Sequence, residues 1–172
     1  MTWAKKNISA KANRTIGFLR RNIHSCPKVV KAAAHITLVR PSIEYASAVW
    51  DPYTKNQTMQ LDSIQRRAAM ISDLSWESLE QRRAKTRAVL MYKIANNLVD
   101  IPSTLLIPAD ARTRENTVFK TIYTRSDVYK YSYFPRTIIT WSYIPQVLRE
   151  VSTIDQFRTV SGSLTLPVQS EM

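Results

Sequence analysis

Lys11, Arg14, Phe18 and Arg21 stand at positions i, i+3, i+7 and i+10. On an α-helix that spacing brings three cations and one aromatic ring onto a single face. Such a face can neutralise successive phosphates while the ring stacks or wedges beside them. The competing reading is a solvated basic face, with Phe18 packed against a neighbouring element. Arg66, Arg67, Arg82 and Lys85 are the next candidates for phosphate contacts. Arg83 and Arg87 call for a different explanation. Helical geometry places them on one face with Trp76, Leu79, Leu90, Ile94 and Leu98, where an unpaired charge is costly. Glu44 is the expected ion-pair partner of one of them. The alternative is that both emerge at the edge of the core and bind phosphate.

No catalytic constellation accompanies these cations. Gly17 and Gly162 are the only glycines, so no glycine-rich phosphate loop can form. There is no Gly-x-Ser-x-Gly elbow. No two carboxylates are adjacent in sequence, as a two-metal site would favour. Cys26 is the single cysteine, which excludes internal disulfides and cysteine-based zinc sites. His24 and His35 lack a partner at metal-binding spacing and read as polar surface or capping residues. No metal and no cofactor are expected.

The elements that must position these residues are mostly helical. Ile8, Ala12, Ile16, Leu19 and Ile23 form an apolar stripe that predicts a helix over 7–23, with the cations on its other side. Gly17, inside that helix, suggests close approach of another backbone. Ser25-Cys26-Pro27 is a cap and first-turn proline for a helix over 27–39, with Val30 and Ala34 inward. Pro41 predicts a corner, followed by a new helix to Trp50. Asn56 is placed to cap a helix through Met70, with Leu61, Ile64, Ala68 and Ile71 buried and Arg66 and Arg67 outward. A long helix over 76–97 ends at Asn96-Asn97, since asparagine tolerates the left-handed cap.

Beyond Pro102 the texture changes. Segments 117–124 and 127–134 are rich in β-branched and aromatic residues, and Tyr129, Tyr131 and Tyr133 alternate. That pattern predicts a β-hairpin turning at 124–127. Its tyrosines, with Lys120, Arg125 and Lys130, read either as a half-buried sheet face or as a stacking platform. A short helix holding Ile138, Ile139 and Trp141 follows. A last amphipathic piece, capped by Ser152 or Thr153, runs through Ile154, Phe157 and Val160, and 161–172 should fray. The fold class expected is therefore mainly α: a helical bundle over 1–100, then a small β-hairpin and short helices over 101–172.

Net charge narrows the partner. The 172 residues carry a formal charge of +12 at neutral pH, and the first acidic residue is Glu44. Such asymmetry favours nucleic acid or another anionic surface. No run approaches the roughly 20 apolar residues of a membrane span. The N-terminus lacks a signal-peptide core, which fits a cytoplasmic or nuclear setting rather than secretion.

One set of motifs goes further. Leu38-Val39-Arg40-Pro41, Glu44-Tyr45-Ala46-Ser47 and Trp50-Asp51-Pro52-Tyr53 resemble the region after the polymerase palm in reverse transcriptases of non-LTR (LINE-type) retrotransposons. Residues 11–22 resemble the preceding helix, where the thumb begins. Gln65-Arg66-Arg67-Ala68-Ala69, Leu79-Glu80-x-Arg82-Arg83 and Tyr92-Lys93-Ile94 resemble the family's next segments. Ser132-Tyr133-Phe134-Pro135-Arg136-Thr137-Ile138 and Trp141-x-x-Ile144-Pro145 resemble its tail. The resemblance covers nearly the whole chain, in order. It departs after Ala69, where the family has an extra segment and this chain passes directly to Trp76. That deletion should draw two helices tightly together or run them into one.

The resemblance implies a thumb-like and post-thumb region that holds template RNA and primer duplex beside a palm. The family's metal-binding aspartates lie upstream in that palm, so reverse transcription by this chain alone is not expected. The expectation is a truncated reverse-transcriptase-derived protein that binds RNA or RNA/DNA duplex backbone with little sequence preference. The alternative is a protein-interaction module or a relic, self-associating through a former palm-facing surface.

Overall fold

The computed structural model describes residues 2–72, 77–102, 104, 106–109 and 118–167. They are mainly helical, and no strand occurs among them. The chain divides into two compact units, 1–80 and 81–172. The change of texture near residue 100 lies inside the second.

In the first unit, α1 (Thr2–Asn22) packs against α5 (Lys55–Ser72) and the helical run between them. Ala12, Ile16 and Leu19 of α1 meet Leu61, Ile64 and Ala68 of α5, with Val39, Ile43 and Leu79 completing the core. Each fully buried Leu or Ile contributes about 1.5–3 kcal/mol. Gln65 is buried among them and donates its amide to the Glu77 carbonyl at 2.7 Å. This pins α5 to the chain just before Leu79. Helix α5 starts at Lys55, so Asn56 lies in its first turn rather than at its cap. The predicted contacts of Ile71 and Trp76 and the tight link over 73–76 lie outside the described residues.

The middle of this unit differs from the sequence reading. Helix α2 (Lys28–Ala34) does not stop at Pro41. It widens into a π-helical turn (His35–Val39) and continues as α3 (Arg40–Glu44). The Arg40 N–H reaches back to the His35 carbonyl, five residues earlier. A proline ring clashes with the carbonyl four residues before it, and a wider turn relieves that clash. The extra residue also changes which side chains face inward. His35, Val39 and Ile43 are buried at four-residue spacing, whereas Val30 is 45% exposed. His35 is thus a core residue, not the surface or capping group expected. The corner comes later, at Tyr45 and Ala46. Ala46 is left-handed (φ 51°), and α4 (Ser47–Trp50) follows. Trp50 Nε1–H closes the turn by donating to the Tyr45 carbonyl at 2.6 Å.

Gly17 admits no backbone neighbour. A Cβ there would meet only the Arg21 guanidinium, at an ordinary 3.7 Å. Gly17→Ala should therefore stabilise the chain by about 1 kcal/mol, the helix-interior difference between the two residues. A thermal or urea midpoint that falls would contradict this.

In the second unit, α6 (Leu79–Ala95) lays Ala84, Ala88, Met91, Tyr92 and Ile94 against α8 (Tyr133–Ser142) and α10 (Ile154–Ser163). Asn97, at φ 53°, ends this helix as expected, but Leu98 is exposed rather than on its buried face. Phe157 stacks on Tyr92 at 4.6 Å and lies tilted to Trp141 at 5.8 Å. The Tyr92 hydroxyl donates to the Val151 carbonyl.

The predicted β-hairpin does not form. Residues 127–134 are helical instead: α7 (Asp127–Lys130), a break at Tyr131-Ser132, then α8. Asp127 is favourably placed at a helix N-terminus, and Pro135 sits in the first turn of α8, where no N–H is needed. Alternating tyrosines express a preference for half-buried surface, which these helices also satisfy. The only described pairing of strand type is an isolated bridge between Pro108 and Phe119. Short helix α9 (Gln146–Arg149) precedes α10, whose cap Thr153 accepts from Gln156 N–H as expected.

The C-terminal stretch is also tied down further than the sequence suggests. Ser161 and Leu166 are buried. The Gln81 side-chain amide donates to the Leu166 carbonyl at 2.8 Å and accepts from its N–H at 3.1 Å. The fraying expected over 161–172 is overturned through 167; residues 168–172 lie outside the described residues. Gln81→Ala leaves both Leu166 groups without that partner and should cost about 1–3 kcal/mol. Faster amide exchange at Leu166 would report it; unchanged exchange would contradict the clamp.

Candidate nucleic-acid interface

The α1 cations are where their spacing places them. Ala12, Ile16 and Leu19 anchor one side of the helix in the core, so Lys11, Arg14, Phe18 and Arg21 line the outward side. All four are exposed, Phe18 at 54%. The stripe is about 15 Å long at 1.5 Å per residue. Among the described residues no carboxylate pairs with Lys11, Arg14 or Arg21. Phe18 thus takes the outward position of the two that were open. Arg20, not singled out by spacing, is exposed in the last turn as well.

The remaining candidates separate into three groups. Arg66 and Arg67 are exposed on α5. Arg67 folds back on Ser63, bonding its carbonyl and its hydroxyl at 3.2 Å each. Arg82 and Lys85 belong to the second unit and are half-buried. The Lys85 ammonium donates to the Gly162 carbonyl, a contact made by the returning C-terminal stretch and so invisible to local spacing.

Arg83 and Arg87 are buried, at 1% and 2% exposure, as their place in the apolar stripe predicts. The Tyr133 hydroxyl donates to the Arg87 carbonyl at 3.1 Å. Burial pushes that phenol above its ordinary range, with the Arg87 charge opposing, so it remains a neutral donor at physiological pH. Glu44 pairs with Arg40 at 2.8 Å, one helical turn away. The pairing of Glu44 with Arg83 or Arg87 stays an expectation.

Among the described residues no group of three or more His, Cys, Asp and Glu side chains is placed to hold a metal ion. No helix among them is long and apolar enough to cross a membrane. Comparison with protein-family models, curated proteins and solved structures found no match.

Proposed function

We propose that this chain is a thumb and post-thumb region derived from a non-LTR retrotransposon reverse transcriptase, and that it holds RNA or an RNA/DNA duplex by its backbone. It carries out no polymerase chemistry itself. The observation that carries this reading is the exposed stripe of Lys11, Arg14, Phe18 and Arg21, free of carboxylate partners among the described residues and fixed on a helix whose other side is core. Cations on a rigid helix contact phosphates at no cost in breaking existing ion pairs. Contacts to phosphate carry no sequence information, so binding through them is sequence-tolerant. The motif resemblance supplies the ligand class, and the net charge of +12 agrees with it.

Mapping amide chemical shifts as an RNA/DNA hybrid is titrated into the labelled chain tests this directly. The expected changes centre on α1 between Lys11 and Arg21. Saturable changes confined to other elements would remove α1 as the site.

A second reading has one observation in its favour. Val29, Val30, Ile36 and Leu38 are exposed along α2 and its π-helical turn. Outward apolar residues on a surface helix suit a protein partner or a second copy, as in the interaction-module alternative. Sedimentation over a concentration series separates self-association from nucleic-acid binding.

A further inference from the structure

In the second unit, residues 118–131 carry Lys120, Arg125 and Lys130 against a single carboxylate, Asp127. From Val118 to Ser126 the backbone is non-helical, and two of its side chains grip the core: Phe119 and Ile122 pack against the cluster that holds Tyr92 and Trp141. Lys120 and Thr121 lie between these anchors and are exposed, and Tyr123 follows the second anchor directly. Lys120 and Arg125 are exposed on either side of Tyr123, which is 86% exposed. Helix α7 follows at once, adding exposed Tyr129 and Lys130. A nearly bare tyrosine gains nothing from burial in this fold. Placed directly after a core anchor, with Lys120 and Arg125 on either side of it in sequence, it is a platform on which an unpaired base can stack beside positive charge.

We infer that the Lys120–Tyr123–Arg125 segment binds single-stranded nucleic acid by stacking a base on Tyr123. The inference rests on the nucleic-acid reading for its ligand class, but not on α1 for its site. The ligand differs too: α1 suits the backbone of a duplex, whereas Tyr123 needs an unstacked base. Duplexed bases offer no free face, so the two surfaces are separable by probe.

The test is binding of the full chain to a short labelled oligouridine and, separately, to an RNA/DNA hybrid. Tyr123→Ala should weaken oligouridine binding by about 5- to 150-fold, the range of one base–aromatic stack, and leave hybrid binding unchanged. Tyr123→Phe should bind oligouridine like the parent, because stacking needs the ring and not the hydroxyl. The exposed position leaves the core intact, which circular dichroism of both variants verifies. Failure of the parent to bind oligouridine, equal binding by Tyr123→Ala, or an equal loss on both probes would each overturn the inference. The Lys11/Arg14/Arg21 variant in the same assay keeps the two readings apart. If it holds the hybrid like the parent while Tyr123→Ala still loses oligouridine, the α1 reading fails and this one stands.

Discussion

Replacing Lys11, Arg14 and Arg21 together with glutamine is expected to weaken binding to RNA/DNA hybrid by about 100- to 1,000-fold at about 0.1 M salt. Each phosphate contact on a duplex contributes about 0.9 to the slope of log affinity against log salt, through release of condensed counterions. Losing three contacts should therefore flatten the slope by about 2.7. The loss should be the same for unrelated sequences, because phosphate contacts carry no base information. Glutamine keeps helix propensity close to that of Lys and Arg, and all three positions are exposed, so α1 should stay folded. Binding equal to the parent, with an unchanged slope, would show that this face is not the site.

Phe157→Ala has the largest expected effect on stability. The ring is 1% exposed, stacked on Tyr92 and beside Trp141. Removing it deletes the transfer free energy of the ring and leaves a cavity that three helices cannot easily close. The expected cost is about 3–5 kcal/mol, plus about 0.5–1.5 kcal/mol for the lost aromatic pairing. Chemical denaturation read through the tryptophan signal measures it. Phe157→Leu should cost less, since it refills part of the space. A cost below about 1 kcal/mol for Phe157→Ala would mean the second unit lacks the packed core described here.

The parts legible in the sequence were those set by local periodicity. The α1 stripe could be read because a 3.6-residue repeat separated core from cations without ambiguity. Thr153 as a cap and Asn97 as a helix end come from local hydrogen bonding and backbone preference. The π-helical turn was not legible. Pro41 signals a break, but whether the chain turns or widens is decided by Val39 and Ile43 finding the core, and that choice carried His35 inward. Tyr129, Tyr131 and Tyr133 alternate like a strand, yet no described neighbouring strand pairs with them, and helices α7 and α8 satisfy the backbone instead. The clamp from Gln81 to Leu166 spans 85 residues, beyond any local pattern. The same return of the chain engages Lys85, so a cation that looked free by spacing is already a structural donor. Spacing thus read which side of α1 is exposed, because that face depends on one helix alone. It did less well on α6, whose surroundings come from distant segments.

Nucleic-acid binding is tested most directly by titrating the chain against labelled RNA and RNA/DNA hybrid across a salt series. Saturable, sequence-tolerant binding that weakens steeply as salt rises is expected, with a negative slope equivalent to several phosphate contacts. Absence of binding at low salt, by a chain shown to be soluble and folded, would contradict it and leave the positive charge without a nucleic-acid role.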